Sequence, residues 1–168
     1  MSKIVFFDID GTLHYSGIGI PQSAVKAVNQ LIANGHKAVM CTGRSKGMMP
    51  EEYFHMGFHG MILGAGAYVE YEGKVIHREL MTKQEVQTVI DWGKKQKIGI
   101  ILEGEQHGYY DPDNHDDYYV AMKNKTEVDC ETTLYPISEA VDVAKWTYHH
   151  MDLDLKPEIE EILGHKYK

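Results

Sequence analysis

An α/β fold with a parallel sheet is the class this sequence predicts, on three observations. The apolar run Ile4-Val5-Phe6-Phe7 ends in Asp8-Ile9-Asp10-Gly11-Thr12, and such a run reads as a buried central strand covered on both faces. A helical pattern follows, with Ala24, Val25, Val28, Leu31 and Ile32 at 3/4 spacing. A second apolar run, residues 37–41, then ends in Thr42-Gly43-Arg44. Strand, helix and strand in that order predict a parallel pair joined by a right-handed crossover.

The remaining elements follow from local signals. Pro21 opens the first helix and Asn34-Gly35 closes it, since Gly accepts the left-handed conformation of a helix stop. Ser45 is a candidate cap for a short helix over residues 46–57, which Pro50 limits in length. Residues 60–63 read as a strand, and residues 67–80 as a hairpin turning at Glu72-Gly73. Thr82 with Glu85 three positions on forms a capping box, ahead of a helix carrying Val86, Val89 and Ile90. Residues 97–104 read as a strand. The Tyr-rich polar stretch 105–124 reads as a strand end, a loop and a short helix. Residues 143–150 are a last strand, and Pro157 opens a last helix over 157–164. Sharp motifs lie before residue 80 and a polar α+β segment after it, so two domains are expected, 1–80 and 81–168.

Composition narrows the function. The 168 residues are 43% hydrophobic and carry a formal net charge of −8, enough for a real core and unsuited to a polyanion partner. Nucleic acid is therefore not expected, nor is a membrane span, since the N-terminal apolar run is too short. Cys41 and Cys130 read as two reduced thiols of a cytoplasmic protein.

The chemistry concentrates at two strand ends. Ligands of open α/β sheets bind beyond the carboxyl ends of the strands. Asp8 and Asp10, at i and i+2, point to the same side of an extended chain. Two anions so placed repel unless a cation lies between them, and Mg²⁺ is suited to oxygen ligands, phosphate and water. The pair thus fits a carboxylate nucleophile beside a second carboxyl group that gives and takes a proton. Gly11 allows a sharp turn and Thr12 adds a hydroxyl. Thr42 can donate to a phosphoryl oxygen, and Gly43 lets backbone N–H groups approach an anion. A solvated strand end is the plain alternative, which the agreement of both strand ends disfavours.

Asp8-Ile9-Asp10-Gly11-Thr12-Leu13, followed at the next strand end by Thr42-Gly43-Arg44, resembles the haloacid dehalogenase (HAD) superfamily of phosphatases, and within it the Cof-type subfamily IIB. The resemblance also covers the spacer 20–44 and the hairpin "GAGAYVEYEGKVIHREL". It implies a partial Rossmann-like parallel-sheet core over 1–80 and an α+β (C2-type) cap over 81–168. It implies an enzyme that hydrolyses phosphomonoesters of small metabolites such as sugar phosphates. Asp8 would attack phosphorus and form an aspartyl-phosphate. Asp10 would protonate the leaving oxygen and then activate water. Thr42, with Thr12 and Gly43 beside it, would hold the phosphoryl group, and Arg44 would orient the loop or the substrate. Mg²⁺ would be held by the Asp8 carboxylate and the Asp10 main-chain carbonyl.

Two departures stand out. The family's later lysine and its acidic "GDxxND"-like loop have no match, and no Gly-Asp pair occurs in the sequence. The expectation is a chain ending inside its cap: a shortened piece, a truncated gene product, or one of two chains that complete each other. Such a chain would be an inactive remnant binding phosphate or a protein partner if the missing pieces are essential. It would expose a strand edge and a helix-free face, which a homodimer could cover. The second departure is Ala65, where the family usually carries Asn.

Other motifs carry weaker readings. Gly64-x-Gly66 precedes a hairpin rather than a helix, against a dinucleotide site. Residues 111–117 resemble a calcium loop without its glycine or closing glutamate, and read as a solvated acidic loop. Tyr109, Tyr110, Tyr118 and Tyr119 read as packing residues. Lys46 is the lysine nearest Thr42. His149 and His150 read as one buried and one exposed strand residue.

Overall fold

The computed structural model describes residues 1–149 and 156–164. The expectation for His149 and His150 as a side-chain pair lies outside the described residues.

The first sheet has the order β1-β2-β3-β4-β5, with β1 at Ile4–Phe7, β2 at Lys37–Cys41, β3 at Gly60–Leu63, β4 at Tyr68–Tyr71 and β5 at Lys74–Arg78. β1, β2 and β3 run parallel, and β4 and β5 turn back antiparallel. Register pairs Phe7 with Met40, so β1 and β2 end side by side and deliver Asp8 and Thr42 to one edge. Helix α1, Gln22–Ala33, lays Ala24, Val28, Leu31 and Ile32 on Phe7, Ala38 and Met40. The β4–β5 turn sits at Glu72-Gly73, with φ of 49° and 74°, the left-handed pair of a type I′ hairpin.

β1 is not the central, doubly covered strand its composition suggests. It lies at the sheet edge, and α1 covers only the face carrying Phe7. Ile4 and Phe6 point the other way and remain 56% and 59% exposed. An all-apolar run reports what a strand can bury, not what covers it. Among the described residues, the edge and outer face of β1 are therefore uncovered, as expected.

The second sheet has the order β8-β7-β6-β9, with β6 at Gly99–Gly104, β7 at Gly108–Tyr110, β8 at Leu134–Pro136 and β9 at Val143–His149. Helix α2, Lys83–Gln96, starts at the expected capping box: Thr82 Oγ1 accepts from the Glu85 N–H, and Glu85 accepts from the Thr82 N–H. Its Val89 and Trp92 pack on Ile100, Leu102 and Tyr109. Helix α3, Asp117–Asp129, covers the opposite side, with Tyr119 and Met122 against Ile101 and Leu134. A short helix, α4, spans Lys156–Leu163.

Three local expectations need correction. Residues 46–57 form no α-helix; two 3₁₀ pieces, Lys46–Met48 and Glu51–His55, flank Pro50. Ser45 caps neither, because its hydroxyl donates to the Gly104 carbonyl at 3.0 Å. β8 has no signature in its sequence: three residues pairing in parallel with β7 are too few for alternation to show. The acidic loop 111–117 is built of side-chain turns: Asp111 accepts from the Asp113 N–H, Asn114 from the Asp116 N–H, and Asp116 caps α3 through the Tyr119 N–H. Of the four tyrosines, Tyr109 and Tyr119 are buried packing residues, while Tyr118 is 44% exposed.

Candidate active site

The chain leaves β1 in a tight loop wound on one carbonyl. Ile9 is fully buried, and its carbonyl accepts from the N–H groups of Thr12, Leu13 and His14 at 3.2, 3.0 and 2.8 Å. Buried His14 pins the loop from below, its Nδ1 2.6 Å from the Tyr53 hydroxyl. Burial pushes that phenol up to about 12, with help from the charge of Glu131, so it stays protonated as a hydrogen-bonding group. With Ile9 inward, Asp8 and Asp10 both face outward, as their i, i+2 spacing requires. Thr12 is exposed beside them.

The second strand end is more enclosed. Thr42 and Arg44 are buried and Gly43 is exposed. The loop is tied to β3 by the Thr42 N–H on the Ile62 carbonyl at 2.9 Å and the Gly64 N–H on the Arg44 carbonyl at 2.7 Å. Thr42 Oγ1 accepts from the Arg44 N–H at 3.2 Å. Ala65, at the position where Asn was expected, holds a left-handed φ of 56°, which Asn tolerates better than Ala.

Arg44 joins the two ends. Its Nε donates to Asp10 Oδ2 at 2.9 Å and its Nη2 to Asp10 Oδ1, a two-pronged pair. Arg44 is 7% exposed and Asp10 54%. Burial opposes the guanidinium charge, but the hydrogen bonds and opposite charge of Asp10 offset it, and the Arg44 pKa is raised. Asp10 is thus paired with an arginine. Asp8 makes no hydrogen bond or ion pair among the described residues.

The second sheet closes over this edge. Arg44 Nη2 also donates to the Asp129 carbonyl at 2.9 Å, at the end of α3. Ser16 donates to Asp129 Oδ1 at 2.6 Å. Hydrogen bonds from Lys125 and Ser16 hold the Asp129 carboxyl below its usual range. Lys145 of β9 donates to the Gly43 carbonyl at 2.8 Å. The result is a cavity of about 380 Å³ between Asp10, Gly43 and Arg44 on one side and Ile101, Glu103, Lys145, Thr147 and Cys130 on the other. Burial pushes the Cys130 thiol up to about 11, so it is a neutral wall of this cavity. Arg44 Nη1 is buried beside it without a partner. A larger cleft, about 590 Å³, runs along Gly64–Ala67 and Trp146 but includes neither aspartate, so the smaller cavity is the candidate site.

Contact between the sheets is close at Gly47. A Cβ there would stand 2.3 Å from the His107 nitrogen and 2.8 Å from the Gly104 carbonyl oxygen. Backbone on that side cannot swing away, so Gly47→Ala should cost about 2 kcal/mol or more in a urea unfolding experiment. An unchanged midpoint would mean the two segments separate freely. Lys46, next to it, lies over the Tyr68 ring at 5.2 Å.

The donor set suits a hard divalent cation in part. Asp8 offers a free carboxylate, whereas the Asp10 carboxylate is committed to Arg44, leaving Asp10 its main-chain carbonyl. Among the described residues no three His, Cys, Asp or Glu side chains gather as a metal cage. Two protein oxygens with the rest from water and phosphate is a coordination that Mg²⁺ accepts.

Of the residues singled out in the sequence, Asp10, Gly43 and Arg44 line this cavity, whereas Asp8, Thr12 and Thr42 lie in the same two strand-end loops but are not among its lining residues. Sequence reasoning missed Glu103, Asp129, Cys130, Lys145 and Thr147. These reach the cavity through the β6–β9 register and the end of α3, and no motif marks them.

A family profile described as haloacid dehalogenase-like hydrolase matches residues 5–167. YkrA of Bacillus subtilis strain 168, which carries a provisional phosphatase name, is 29% identical over 104 residues, 62% of this chain and 40% of YkrA. A hypothetical protein from Geobacillus kaustophilus HTA426 superposes with a TM-score of 0.73 at 23% identity, over 96% of this chain and 62% of that one. BT1666 from Bacteroides thetaiotaomicron, described among phosphatases of the haloalkanoate superfamily, gives 0.70 at 20% identity, over 97% and 61%. The subclass IIB sugar phosphatase BT4131 gives 0.66 at 22% identity, over 98% and 63%. At such identities the superpositions show a shared fold. The chain spans about three-fifths of the length of these solved structures.

Proposed function

Because the chain belongs to the haloacid dehalogenase-like hydrolase family, we propose that it carries the nucleophile half of a phosphomonoesterase acting on small metabolites such as sugar phosphates. The observation that carries this reading is the strand-end arrangement: an exposed Asp8 two residues from an Asp10 that Arg44 holds against a small cavity of mixed polarity.

In this reading an Asp8 oxygen attacks phosphorus, the ester P–O bond breaks, and Asp10 gives a proton to the departing oxygen. Water then attacks the phosphorus of the aspartyl-phosphate, Asp10 takes its proton, and inorganic phosphate leaves. With both its oxygens accepting from Arg44, Asp10 is set as the base of the second step; the first requires one of those hydrogen bonds to open. The Thr42 hydroxyl, with Thr12 and Gly43 beside it, meets the phosphoryl oxygens. Mg²⁺, held by the Asp8 carboxylate and the Asp10 carbonyl, would supply positive charge against the repulsion of carboxylate and phosphate.

We assign the second sheet and its helices, 81–168, to a cap over a core of 1–80. Its contribution to the cavity, Glu103, Thr147 and Lys145 beside Ile101, offers donors, acceptors and an apolar patch, as a neutral hydroxylated leaving group requires. The open rim of β1 is where a second copy, or core strands of a longer protein, would pair.

The test is hydrolysis of p-nitrophenyl phosphate and a panel of sugar phosphates with and without Mg²⁺, set beside the Asp8→Asn variant. Turnover that requires Asp8 supports the reading. Binding of phosphate without turnover would instead support a phosphate-binding remnant.

A further inference from the structure

Lys145 reaches the strand-end loop from the other sheet, and its aim is fixed by a buried acid. Its ammonium donates to the Gly43 carbonyl at 2.8 Å and pairs with Glu103 Oε1 at 2.9 Å. Glu103 on β6 is 7% exposed, and a carboxylate so enclosed requires partners. It has three: Lys145, the Thr147 hydroxyl at 3.0 Å, and the Ser45 N–H at 3.3 Å. The lysine is thereby denied most of the freedom of its four-carbon stem.

The Gly43 carbonyl belongs to the same rigid peptide unit as the Arg44 N–H. That N–H is the group that donates to Thr42 Oγ1. One peptide plane thus feels Lys145 on its carbonyl side and the Thr42 hydroxyl on its amide side. With Oγ1 accepting from Arg44, the hydroxyl keeps its own hydrogen for another acceptor. We propose that Lys145, aimed by Glu103, is a positioning residue that sets the Gly43–Arg44 peptide and through it the Thr42 hydroxyl toward a phosphoryl oxygen. The ligand part of this assignment rests on the phosphatase reading; the peptide part does not.

The experiment follows the Arg44 amide by ¹⁵N NMR in the full chain, together with titration of inorganic phosphate. In Lys145→Met the Arg44 amide should exchange with solvent about tenfold faster, and phosphate should bind about tenfold more weakly. Lys145→Arg keeps a donor in place and should hold both within about threefold. Glu103→Gln on top of Lys145→Met should add nothing, because Glu103 acts through the lysine. Unchanged Arg44 exchange in folded Lys145→Met, or additive effects of the two substitutions, overturns the proposal. Should Lys145→Met not fold, Thr147→Val removes one of Glu103's hydrogen bonds without changing charge. It should move the Arg44 amide in the same direction, and an unmoved amide would overturn the proposal equally. If the unaltered chain binds no phosphate, the phosphatase reading fails, and the amide alone decides the positioning role.

Discussion

Asp8→Asn should abolish phosphomonoester turnover while leaving the fold untouched. The carboxamide is isosteric with the carboxylate but cannot carry a phosphoryl group as an acyl phosphate. Loss of a covalent nucleophile costs about 10³-fold or more. Asp8 is exposed and makes no hydrogen bond or ion pair among the described residues, so unfolding free energy should stay within about 0.5 kcal/mol. Initial rates with p-nitrophenyl phosphate and Mg²⁺, beside a urea melt, read both quantities. Turnover that persists in the variant removes Asp8 as nucleophile and moves attention to water activated elsewhere in the cavity.

Arg44→Met should show a different pattern, with stability and activity falling together. The methionine fills much of the stem volume but removes the fork that holds both Asp10 oxygens and the Asp129 carbonyl. Half-exposed Asp10 regains water, which limits the cost to well under that of a fully buried pair. About 2 kcal/mol is expected, mostly from the lost hydrogen bonds to charged groups. Turnover should drop about 100-fold, because a swinging Asp10 is a poorly placed acid and base. Arg44→Lys should rescue little, since a point ammonium cannot make the two-pronged contact. A methionine variant as stable as the parent would show that the pair contributes nothing to the interlock between the sheets.

The first 80 residues were legible to a degree the rest was not, for physical reasons. β1, α1 and β2 are set by contiguous apolar runs and a single periodicity, and the chemistry sits on the residues that end those runs. Asp8 and Asp10 announce themselves because two acids at i, i+2 after an apolar strand have few other uses. The partner of Asp10 was not legible. Thr42-Gly43-Arg44 suggested an arginine that orients something, but its bidentate grip on Asp10 depends on two strand ends lying side by side. Lys145 and Glu103 were hidden further still. Each is an ordinary charged residue on a half-polar strand, and only antiparallel pairing between residues 42 positions apart makes them one unit. The coverage of β1 was misread for a related reason: composition cannot say which strand is last in a sheet.

That last strand also bears on how the chain behaves in a test tube. Ile4 and Phe6 flank a row of backbone groups that no neighbour zips shut among the described residues. A greasy, unfinished selvedge of this kind is adhesive toward any extended peptide, whether a sister molecule or a stretch of unfolded chain. Crowding the solution should therefore favour clumping over catalysis, and dilute samples should give the truest account of what the site beneath can do.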